Sequence, residues 1–273
     1  MKNKSRFLLV ALTVLLLGGC GGAPTKKLND ISDLKDKVIG MLAINSNLKD
    51  IEQLVSFFTG PVKEITLFNR SSDQIAAVLN GKIDAFMAPD LTINYYAKRN
   101  PKLKVIIPGK KVEGVVFMRV RSEDTRLKAE LDSAINILHG NGILKSLEEK
   151  WVTNLPTSNE PLHTNIPKIE GAKTIYIGVA GDYPPLDYIG ADGRPAGYNV
   201  AALTEISKIL KINFEFVSIE TLARFAALGS KKIDVIFCNV HSISKLSDEL
   251  SNKNLISTIP YCNFLGGYFL VKR

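Results

Sequence analysis

The feature that most constrains the fold is a strand–helix alternation that runs through the chain twice. In each half, short β-branched or aromatic runs alternate with segments whose apolar residues fall at helical spacing. The passage from helix to strand is also shared, because 79–86 and 228–235 each run from a Gly or Gly-Ser through Lys to an Asp and an apolar strand. Parallel strands need crossover helices, so this pattern predicts two α/β lobes, each with a mostly parallel sheet flanked by helices.

The individual elements follow from the same periodicity. The predicted strands are 38–42, 65–68, 83–87, 115–120, 175–179, 213–217 and 233–238. The predicted helices are 48–58, one ending at 79, 91–99, 123–139, 142–151, 198–210 and 220–228. Side chains that accept backbone hydrogen bonds favour helix starts, so we expect Asn45-Ser46-Asn47 to cap the first helix and Ser71-Ser72-Asp73 the second.

The first twenty residues have the order of a secretory signal. Three cations precede an apolar run at 7–17 that is too short to span a bilayer, and small residues follow it. The ending Leu17-Gly18-Gly19-Cys20 resembles the lipobox of bacterial lipoproteins, in which the cysteine is acylated. We therefore expect a signal peptide at 1–19, lipidation of Cys20 and an extracytoplasmic, membrane-anchored protein; the alternative is a plain signal peptide with an incidental cysteine.

Charge and composition argue against several classes of partner. The formal charge is +8, or +5 without Lys2, Lys4 and Arg6 of the expected signal, and no basic stripe is interleaved with aromatic residues. A nucleic-acid partner is therefore not predicted. The three histidines are scattered and form no cluster with metal-ligand spacing, so neither a metal nor a cofactor is predicted.

Two cysteines remain beyond the expected signal, Cys238 and Cys262. An exported compartment permits a disulfide, but the sequence does not place the two Cα atoms within bonding range. The alternatives are a disulfide and two partly buried thiols.

The stretch 173–200 carries the most specific pattern in the chain. A strand at 175–179 is ended by Pro184-Pro185, and Gly197 leads into a helix. This layout resembles the first strand, ligand loop and first helix of the family 3 extracellular solute-binding proteins, the receptors of polar amino-acid ABC importers. The segment 141–151 resembles the terminal helix of that family. The resemblance implies a two-lobed α/β fold of the periplasmic-binding-protein type (type 2).

The family order of these segments is altered in this chain. The stretch that normally opens the mature protein begins beyond residue 170, and the order 173–273 followed by 28–152 would restore the family arrangement. The resemblance therefore implies a circularly permuted fold, in which a Pro-containing linker joins the old termini. The alternative is a tandem of two truncated binding proteins.

The expected organisation assigns every part of the chain to a lobe, a tether or a linker. It comprises a tether at 20–30, a lobe 2-like domain at 31–112, a strand and helices completing lobe 1 at 113–152, a linker at 153–172, and a lobe 1-like domain at 173–273. We further expect permutation to cut one of the two hinge segments, so that only the segment around 108–114 joins the lobes covalently. One covalent hinge would lower the resistance to lobe opening.

The resemblance also implies a ligand site between the lobes, at the carboxyl ends of the strands. Tyr183 falls where the family places an aromatic residue over its ligand; the alternative is a core aromatic beside the Pro turn. Asn45 and Ser46 align with a family pair at a helix N-terminus, where backbone N–H groups receive an anionic group, although both residues also suit simple capping.

Departures from the family pattern concern the groups that hold an amino acid. The family's carboxylate-binding Arg is absent from 239–247, so Asn239, His241 and Ser242 become the candidate contacts there. His241 is either a ligand donor or a solvated loop residue. The family's acidic residue for the amino group falls at Pro89 or Asp90, so Asp90 keeps that role only after a shift of register.

These observations predict a lipid-anchored receptor that captures a small polar, amino-acid-like solute and delivers it to the permease of an ABC importer. Closure of the lobes on the solute would be the signal that the transporter reads. One alternative is a non-transporting sensor, or a degenerate relative that recognises a ligand or a protein. Another is a dehydratase-type enzyme on the same fold, although no spacing singles out an acid–base pair among Asp90, Asp182, Asp187 and His241. We predict that the protein is not an enzyme.

Overall fold

A computed structural model describes residues 27–43, 47–157, 166, 168–190, 192–242 and 254–273, with the backbone alone for 238–242. The expected signal peptide, Cys20, Asn45 and Ser46 lie outside the described residues. Across the described part of the chain, no helix combines the length and the apolar character that a membrane span requires.

The elements follow one another as the repeated alternation predicts. The first part contains a 3-10 turn Ile31–Leu34, β1 Val38–Leu42, α1 Leu48–Thr59, β2 Glu64–Phe68, α2 Ser71–Leu79, β3 Ala85–Ala88, α3 Asp90–Arg99, β4 Leu103–Ile106, β5 Val112–Arg121, α4 Thr125–Gly140, α5 Ile143–Glu148 and a π-helical turn Glu149–Thr153. The second part contains β6 Thr174–Val179, β7 Asp182–Tyr183, β8 Asp187–Ile189, β9 Pro195–Ala196, α6 Tyr198–Leu210, β10 Asn213–Ser218, α7 Ala223–Gly229, β11 Val235–Ser242, β12 Leu255–Ser257, β13 Cys262–Gly266 and β14 Tyr268–Lys272.

Two sheets define the lobes. One has the strand order β2-β1-β3-β14-β4, and we call it and its helices α1, α2 and α3 lobe 2. The other has the order β10-β6-β11-β5-β12, with β13 also paired to β5; with α4, α5, α6 and α7 it forms lobe 1. The prediction of two α/β lobes is thus confirmed.

The strand directions refine the expectation of mostly parallel sheets. In lobe 2, β1 is parallel to β2 and β3, and β14 alone runs antiparallel to its neighbours. In lobe 1, β10, β6 and β11 are parallel, but β5 pairs antiparallel with β11, β12 and β13. The lobe 1 sheet is therefore mixed, because β5, which enters from lobe 2, runs opposite to the strands beside it.

Strands from both ends of the sequence complete each lobe. The C-terminal strand β14 lies between β3 and β4, and the middle strand β5 lies between β11 and the β12–β13 edge. The expected boundary at 173–273 is therefore wrong at its end, since 268–272 belongs to lobe 2. Within the described residues the chain crosses between lobes twice, at 107–111 and at 266–267, so the expectation of a single covalent crossing is also wrong.

The apolar cores explain why β14 is placed there. Its residues Phe269, Leu270 and Val271 are fully buried, and they alternate between the two faces of the sheet. Phe269 joins a cluster with Ile39 and Val55 on one face, whereas Leu270 joins Phe86 on the other. Helices thus cover both faces of the lobe 2 sheet, and β14 packs into both contacts.

The start of α2 differs from the capping prediction. Ser71 is the first helical residue, Arg70 occupies the N-cap position, and no side chain of this segment makes the cap hydrogen bond. The prediction for α1 is more successful, because the side chain of Asn47 accepts a hydrogen bond from the Asp50 N–H at 2.9 Å. The first turn of α2 therefore obtains its hydrogen-bond acceptor elsewhere.

Candidate ligand-binding site

The carboxyl ends of the two sheets face each other across a cleft. Asp182 follows β6 of lobe 1, and its Oδ2 lies 3.0 Å from the Ser72 hydroxyl and 3.5 Å from Nε of Arg70, which follow β2 of lobe 2. Tyr188 of β8 lies against Tyr95 of α3, with ring centroids 6.0 Å apart. In open α/β sheets this edge is where ligands bind, so the facing edges mark the candidate site.

The small sheet β7-β8-β9 forms a hairpin structure over the end of β6. Asp182 pairs with Tyr188, and Tyr183 pairs with Asp187. Directly paired residues of an antiparallel ladder lie on the same face, so Asp182 and Tyr188 share one face and Tyr183 and Asp187 the other. The Asp182–Tyr188 face is the one that contacts lobe 2.

Tyr183 lies on the side of this hairpin that packs toward lobe 1. Its ring is half-buried and packs against the main apolar cluster of that lobe. This packing is what the core alternative describes, and the residue remains partly exposed. A role for Tyr183 in ligand contact stays a prediction.

Asp187 is the most deeply buried charged group of the hairpin. The residue is 2% exposed, and neither carboxylate oxygen has a hydrogen-bond partner among the residues that the structure describes. Burial raises the pKa of Asp187 to about 7; the nearby Arg224 guanidinium opposes this shift, and the charge of Asp182 adds to it. This carboxyl group therefore changes protonation near neutral pH rather than in acid.

Arg224 supplies the positive charge beneath the hairpin. It is buried at the start of α7 and donates from Nη1 to the Phe237 carbonyl at 2.7 Å and from Nε to the Thr221 carbonyl at 3.3 Å. Gly178 of β6 lies beside it: a Cβ at Gly178 would be in ordinary contact with Cγ of Arg224 at 3.6 Å, whereas it would clash with Cδ1 of Ile233 at 2.4 Å. A guanidinium thus lies at the carboxyl end of β6, although the segment 239–247, in which the family carries its carboxylate-binding Arg, contains no Arg.

The segment predicted to be a loop at 239–244 begins as a strand. β11 continues to Ser242, and its backbone pairs Asn239 with Phe117 and His241 with Val115 of β5. The strand pairs with β6 at Val235 and Ile236, whereas its pairing with β5 continues to Ser242 after a shift of register between Ile236 and Asn239, which extends β11 beyond the parallel part of the sheet. The prediction of a loop is therefore wrong up to Ser242, while side-chain roles of Asn239, His241 and Ser242 stay predictions.

Asp90 has a structural partner. It is the first residue of α3, and its Oδ1 accepts a hydrogen bond of 2.9 Å from the Leu265 N–H in β13. Burial raises the pKa of Asp90, and this hydrogen bond opposes the shift. One carboxylate oxygen is thus engaged beside the crossing at 266–267, so a role in binding a solute would rest on the other oxygen.

Cys262 carries a free, buried thiol. Burial raises the pKa of this thiol to about 12, and the charges of Glu148 and Asp90 add to the shift. Of the two alternatives for the cysteines, the free thiol describes Cys262. Among the residues that the structure describes, no group of His, Cys, Asp and Glu side chains is arranged to hold a metal ion.

From the sequence, the loops 69–72, 180–187 and 220–224 are expected at the carboxyl ends of the strands, but nothing in them singles out Arg70, Ser72 or Arg224, and Asp182 was named only as an enzyme candidate. All four flank the facing strand ends. A usable signal was present for Asp182, which is a charged residue next to a Gly directly after a buried strand. No comparable signal marks Ser72, because its role depends on a partner 110 residues away in sequence.

The architecture supports a two-lobed, periplasmic-binding-protein-like fold, and comparisons with known proteins agree with this class. The profile of the bacterial extracellular solute-binding proteins, family 3, matches residues 175–266, about a third of the chain. These residues supply most of lobe 1. The match supports the resemblance on which the solute-binding prediction was based, in a family of binding proteins rather than enzymes.

Individual relatives agree over a similar length. The L-cystine-binding protein TcyJ of Bacillus subtilis (strain 168) is 31% identical over 103 residues, covering 37% of this chain and 36% of that protein. TcyJ of Escherichia coli (strain K12) is 32% identical over 106 residues, covering 39% and 38%. The chain thus spans less than two fifths of the length of these curated relatives. These matches support a solute-binding role.

Solved structures give weaker likenesses. The GluR0 ligand-binding core in complex with L-glutamate has a TM-score of 0.44 and 11% identity, covering 87% of this chain and 84% of that one. A ligand-binding component of an ABC-type import system from Staphylococcus aureus has a TM-score of 0.43 and 15% identity, covering 86% and 65%. Because these scores are low, the description of the fold rests on the strand order itself.

Proposed function

We propose that this protein is an extracytoplasmic receptor that captures a small polar, amino-acid-like solute between lobes 1 and 2 for an ABC importer. The observation that carries the proposal is that the family-matching segment 175–266 lies in lobe 1, with the carboxyl ends of its strands facing those of lobe 2. Closure over a solute shifts an open–closed equilibrium, and the permease of the importer reads the closed form.

We infer solute contacts from Asn45 and Ser46, which precede α1 in the sequence, from Tyr183 in lobe 1, and from Asn239, His241 and Ser242 at the end of β11. Asp90 contributes through its second carboxylate oxygen, since Leu265 engages the first. With no Arg in 239–247, the buried guanidinium of Arg224 is a fixed positive charge near the hairpin, where it acts on Asp187.

A thermal-shift screen tests solute binding. We expect one or a few compounds among the amino acids, L-cystine included, small peptides, organic acids and polyamines to raise the unfolding midpoint. A solute that binds only the folded state adds about 2.7 kcal/mol to the free energy of unfolding at a hundredfold excess over Kd.

Matched variants place the bound solute. The shift should shrink in Tyr183→Leu and persist in Tyr176→Leu, which alters an exposed tyrosine of the same lobe on β6. A panel that leaves the midpoint unchanged throughout would contradict the proposal. Equal shifts in both variants would move the site away from Tyr183.

Membrane attachment is proposed through Cys20. The lipobox-like Leu17-Gly18-Gly19-Cys20 would make Cys20 the acylated N-terminus, and 20–30 the tether that holds the lobes near the permease. We expect Cys20→Ser to move the protein from the membrane fraction to the soluble fraction, while Cys262→Ser leaves it membrane-bound. Soluble wild-type protein would contradict the anchor.

The strand order also supports the proposed circular permutation. Each lobe takes strands from both halves of the sequence, as expected if a family-order chain were reopened between β14 and the turn Ile31–Leu34 and closed through the residues after the π-helical turn. Both interlobe crossings survive this rearrangement, because the new termini lie within lobe 2. In the permuted arrangement, the Pro-containing segment 153–172 is the linker.

A second candidate function is a sensor whose cleft meets another protein. Two observations favour it: the Asp90 carboxylate is engaged by the backbone of β13, and Arg is absent from 239–247. This function would be favoured by a screen without any solute hit, followed by capture of a folded protein partner. Binding of that partner should be weakened by Tyr183→Leu but not by Tyr176→Leu.

A further inference from the structure

The helix α2 of lobe 2 starts without a cap of its own. The first backbone N–H groups of a helix have no acceptor within the helix, and a side chain at the N-cap position normally satisfies one of them. At α2 this position is held by Arg70, whose side chain has no acceptor group, and no local side chain makes the bond. The N-terminal turn of α2 therefore needs an acceptor from another part of the molecule.

Asp182 of lobe 1 provides that acceptor. Its Oδ2 accepts from the Ser72 N–H at 3.2 Å and from the Ser72 hydroxyl at 3.0 Å, and it lies 3.5 Å from Nε of Arg70. The Asp182 side chain is 18% exposed, whereas that of Arg70 is 63% exposed. One carboxylate oxygen thus meets a helix N-terminus, a hydroxyl group and a guanidinium, all from the other lobe.

The surroundings fit a carboxylate that belongs in this position. The partial positive charge of a helix N-terminus favours a negative group, and hydrogen bonds to an ionised acceptor are about twice as strong as neutral ones. The hairpin that carries Asp182 is fixed to lobe 1 through its other face, where Tyr183 packs against the apolar core. Tyr188, the ladder partner of Asp182, reaches Tyr95 of lobe 2 from the same face.

We propose that Asp182 is the closing residue of this protein: it caps α2 across the cleft and fastens the hairpin of lobe 1 to lobe 2. The inference rests on the proposed function, because such a latch acts only if the lobes open to admit a solute. Opening breaks all three Oδ2 contacts together and leaves the first turn of α2 without a cap. The local stability of α2 therefore reports whether the cleft is closed.

Hydrogen exchange of the α2 amides tests the latch without any solute. In Asp182→Ala we expect the Ser72 amide to exchange about tenfold faster, because a hydrogen bond to a charged group is lost. The matched control is Asp192→Ala, which removes a carboxylate from the same hairpin structure; Asp192 bonds Arg194 within its own turn. Unchanged exchange in Asp182→Ala, or an equal effect of Asp192→Ala, would overturn the proposal.

Variants on the other side of the cleft keep the test independent of how Asp182→Ala folds. Asp182→Asn removes only the charge and should give a smaller increase in exchange, and Arg70→Gln should act in the same direction from lobe 2. Added to Asp182→Ala, Arg70→Gln should have little further effect on Ser72, because both changes remove one interaction. Additive effects would overturn the latch.

Failure of the latch and failure of the proposed function give different results. If the exchange rate of the Ser72 amide is unchanged in Asp182→Ala, Asp182 has no closing role, and any thermal shift caused by a solute is unaffected by that result. A negative solute screen removes the proposed function and leaves the measured cap of α2.

Discussion

At the scale of single residues, the hairpin at the cleft edge combines two carboxyl groups in opposite situations. Asp182 receives three donor contacts from lobe 2, whereas Asp187 is buried, finds no hydrogen-bond partner within the described part of the chain, and has the Arg224 guanidinium nearby as a compensating charge. A buried carboxyl group without partners favours the protonated form. The pKa of Asp187, raised to about 7, expresses this preference.

The protonation of Asp187 predicts how stability depends on pH. In the unfolded chain its carboxyl group ionises at a pKa of about 3.9, so between about pH 4 and pH 7 the folded state holds a proton that the unfolded state has lost. The free energy of unfolding should therefore fall as pH rises through this window, by an amount on the order of a few kcal/mol. Below and above the window this contribution is flat.

Chemical denaturation of Asp187→Asn between pH 4 and pH 8 measures this effect. We expect the variant to lose this part of the pH dependence, so that its stability relative to the wild-type protein improves as pH rises. Glu52→Gln, at an exposed position on α1, serves as the control and should follow the wild-type curve. A wild-type curve that rises through the window, with Asp187→Asn parallel to it, would show that Asp187 is ionised in the folded state.

At the scale of elements, β14 shows how much a short C-terminal strand determines. It runs antiparallel between β3 and β4 in an otherwise parallel sheet and carries buried residues on both faces. The strands predicted from the sequence did not include it, and the boundary assigned at 173–273 grouped these residues with lobe 1, whereas β14 lies between β3 and β4 of lobe 2.

Substitution within β14 should destabilise lobe 2, although the other strands of that lobe lie at the opposite end of the sequence. Phe269→Ala removes a fully buried ring that packs edge-to-face with Phe58 and joins the cluster around Ile39. We expect a loss of about 3–5 kcal/mol in the stability of lobe 2. Hydrogen exchange should show the loss first in the peptides of β1 and β3.

The control for this prediction is Lys272→Ala, an exposed position on the same strand. Lys272 donates only an exposed hydrogen bond to the Leu79 carbonyl, so we expect little change. Destabilisation of Phe269→Ala that appears first in β6 and β10 would assign β14 energetically to lobe 1 and contradict the strand order.

The elements also show where sequence reasoning works and where it stops. The bounds of β1 and α6 were predicted residue for residue, because their apolar spacing and flanking Gly or Asn residues are local signals. The extension of β11 to Ser242 and the cap of α2 by Asp182 were not predicted. Both depend on partners far away in the sequence, β5 in one case and the other lobe in the second.

At the scale of the whole molecule, two crossings join the lobes, at 107–111 and at 266–267. The repeated strand–helix pattern was sufficient to predict two α/β lobes. The pattern was not sufficient to predict the number of crossings, because this number depends on whether β14 joins lobe 1, with the strands before it, or lobe 2. With both crossings intact, the argument for a weakened hinge no longer applies.

A chain rebuilt in family order tests the proposed permutation. Residues 168–273 followed directly by 27–157 should fold to the same two sheets, since the new junction joins the end of β14 to the turn at Ile31–Leu34 within lobe 2. We expect its free energy of unfolding to stay within about 2 kcal/mol of that of the original chain, because loop closure costs change slowly with length. Loss of cooperative unfolding would contradict the permutation.

The most direct test of the central claim is native mass spectrometry of the folded protein after dialysis against a mixture of amino acids, L-cystine and small organic acids. The proposed function predicts one bound solute per chain, lost on unfolding and reduced in Tyr183→Leu but not in Tyr176→Leu. A protein that emerges without any bound solute, under conditions in which a known solute-binding protein retains its own, would contradict capture between the lobes.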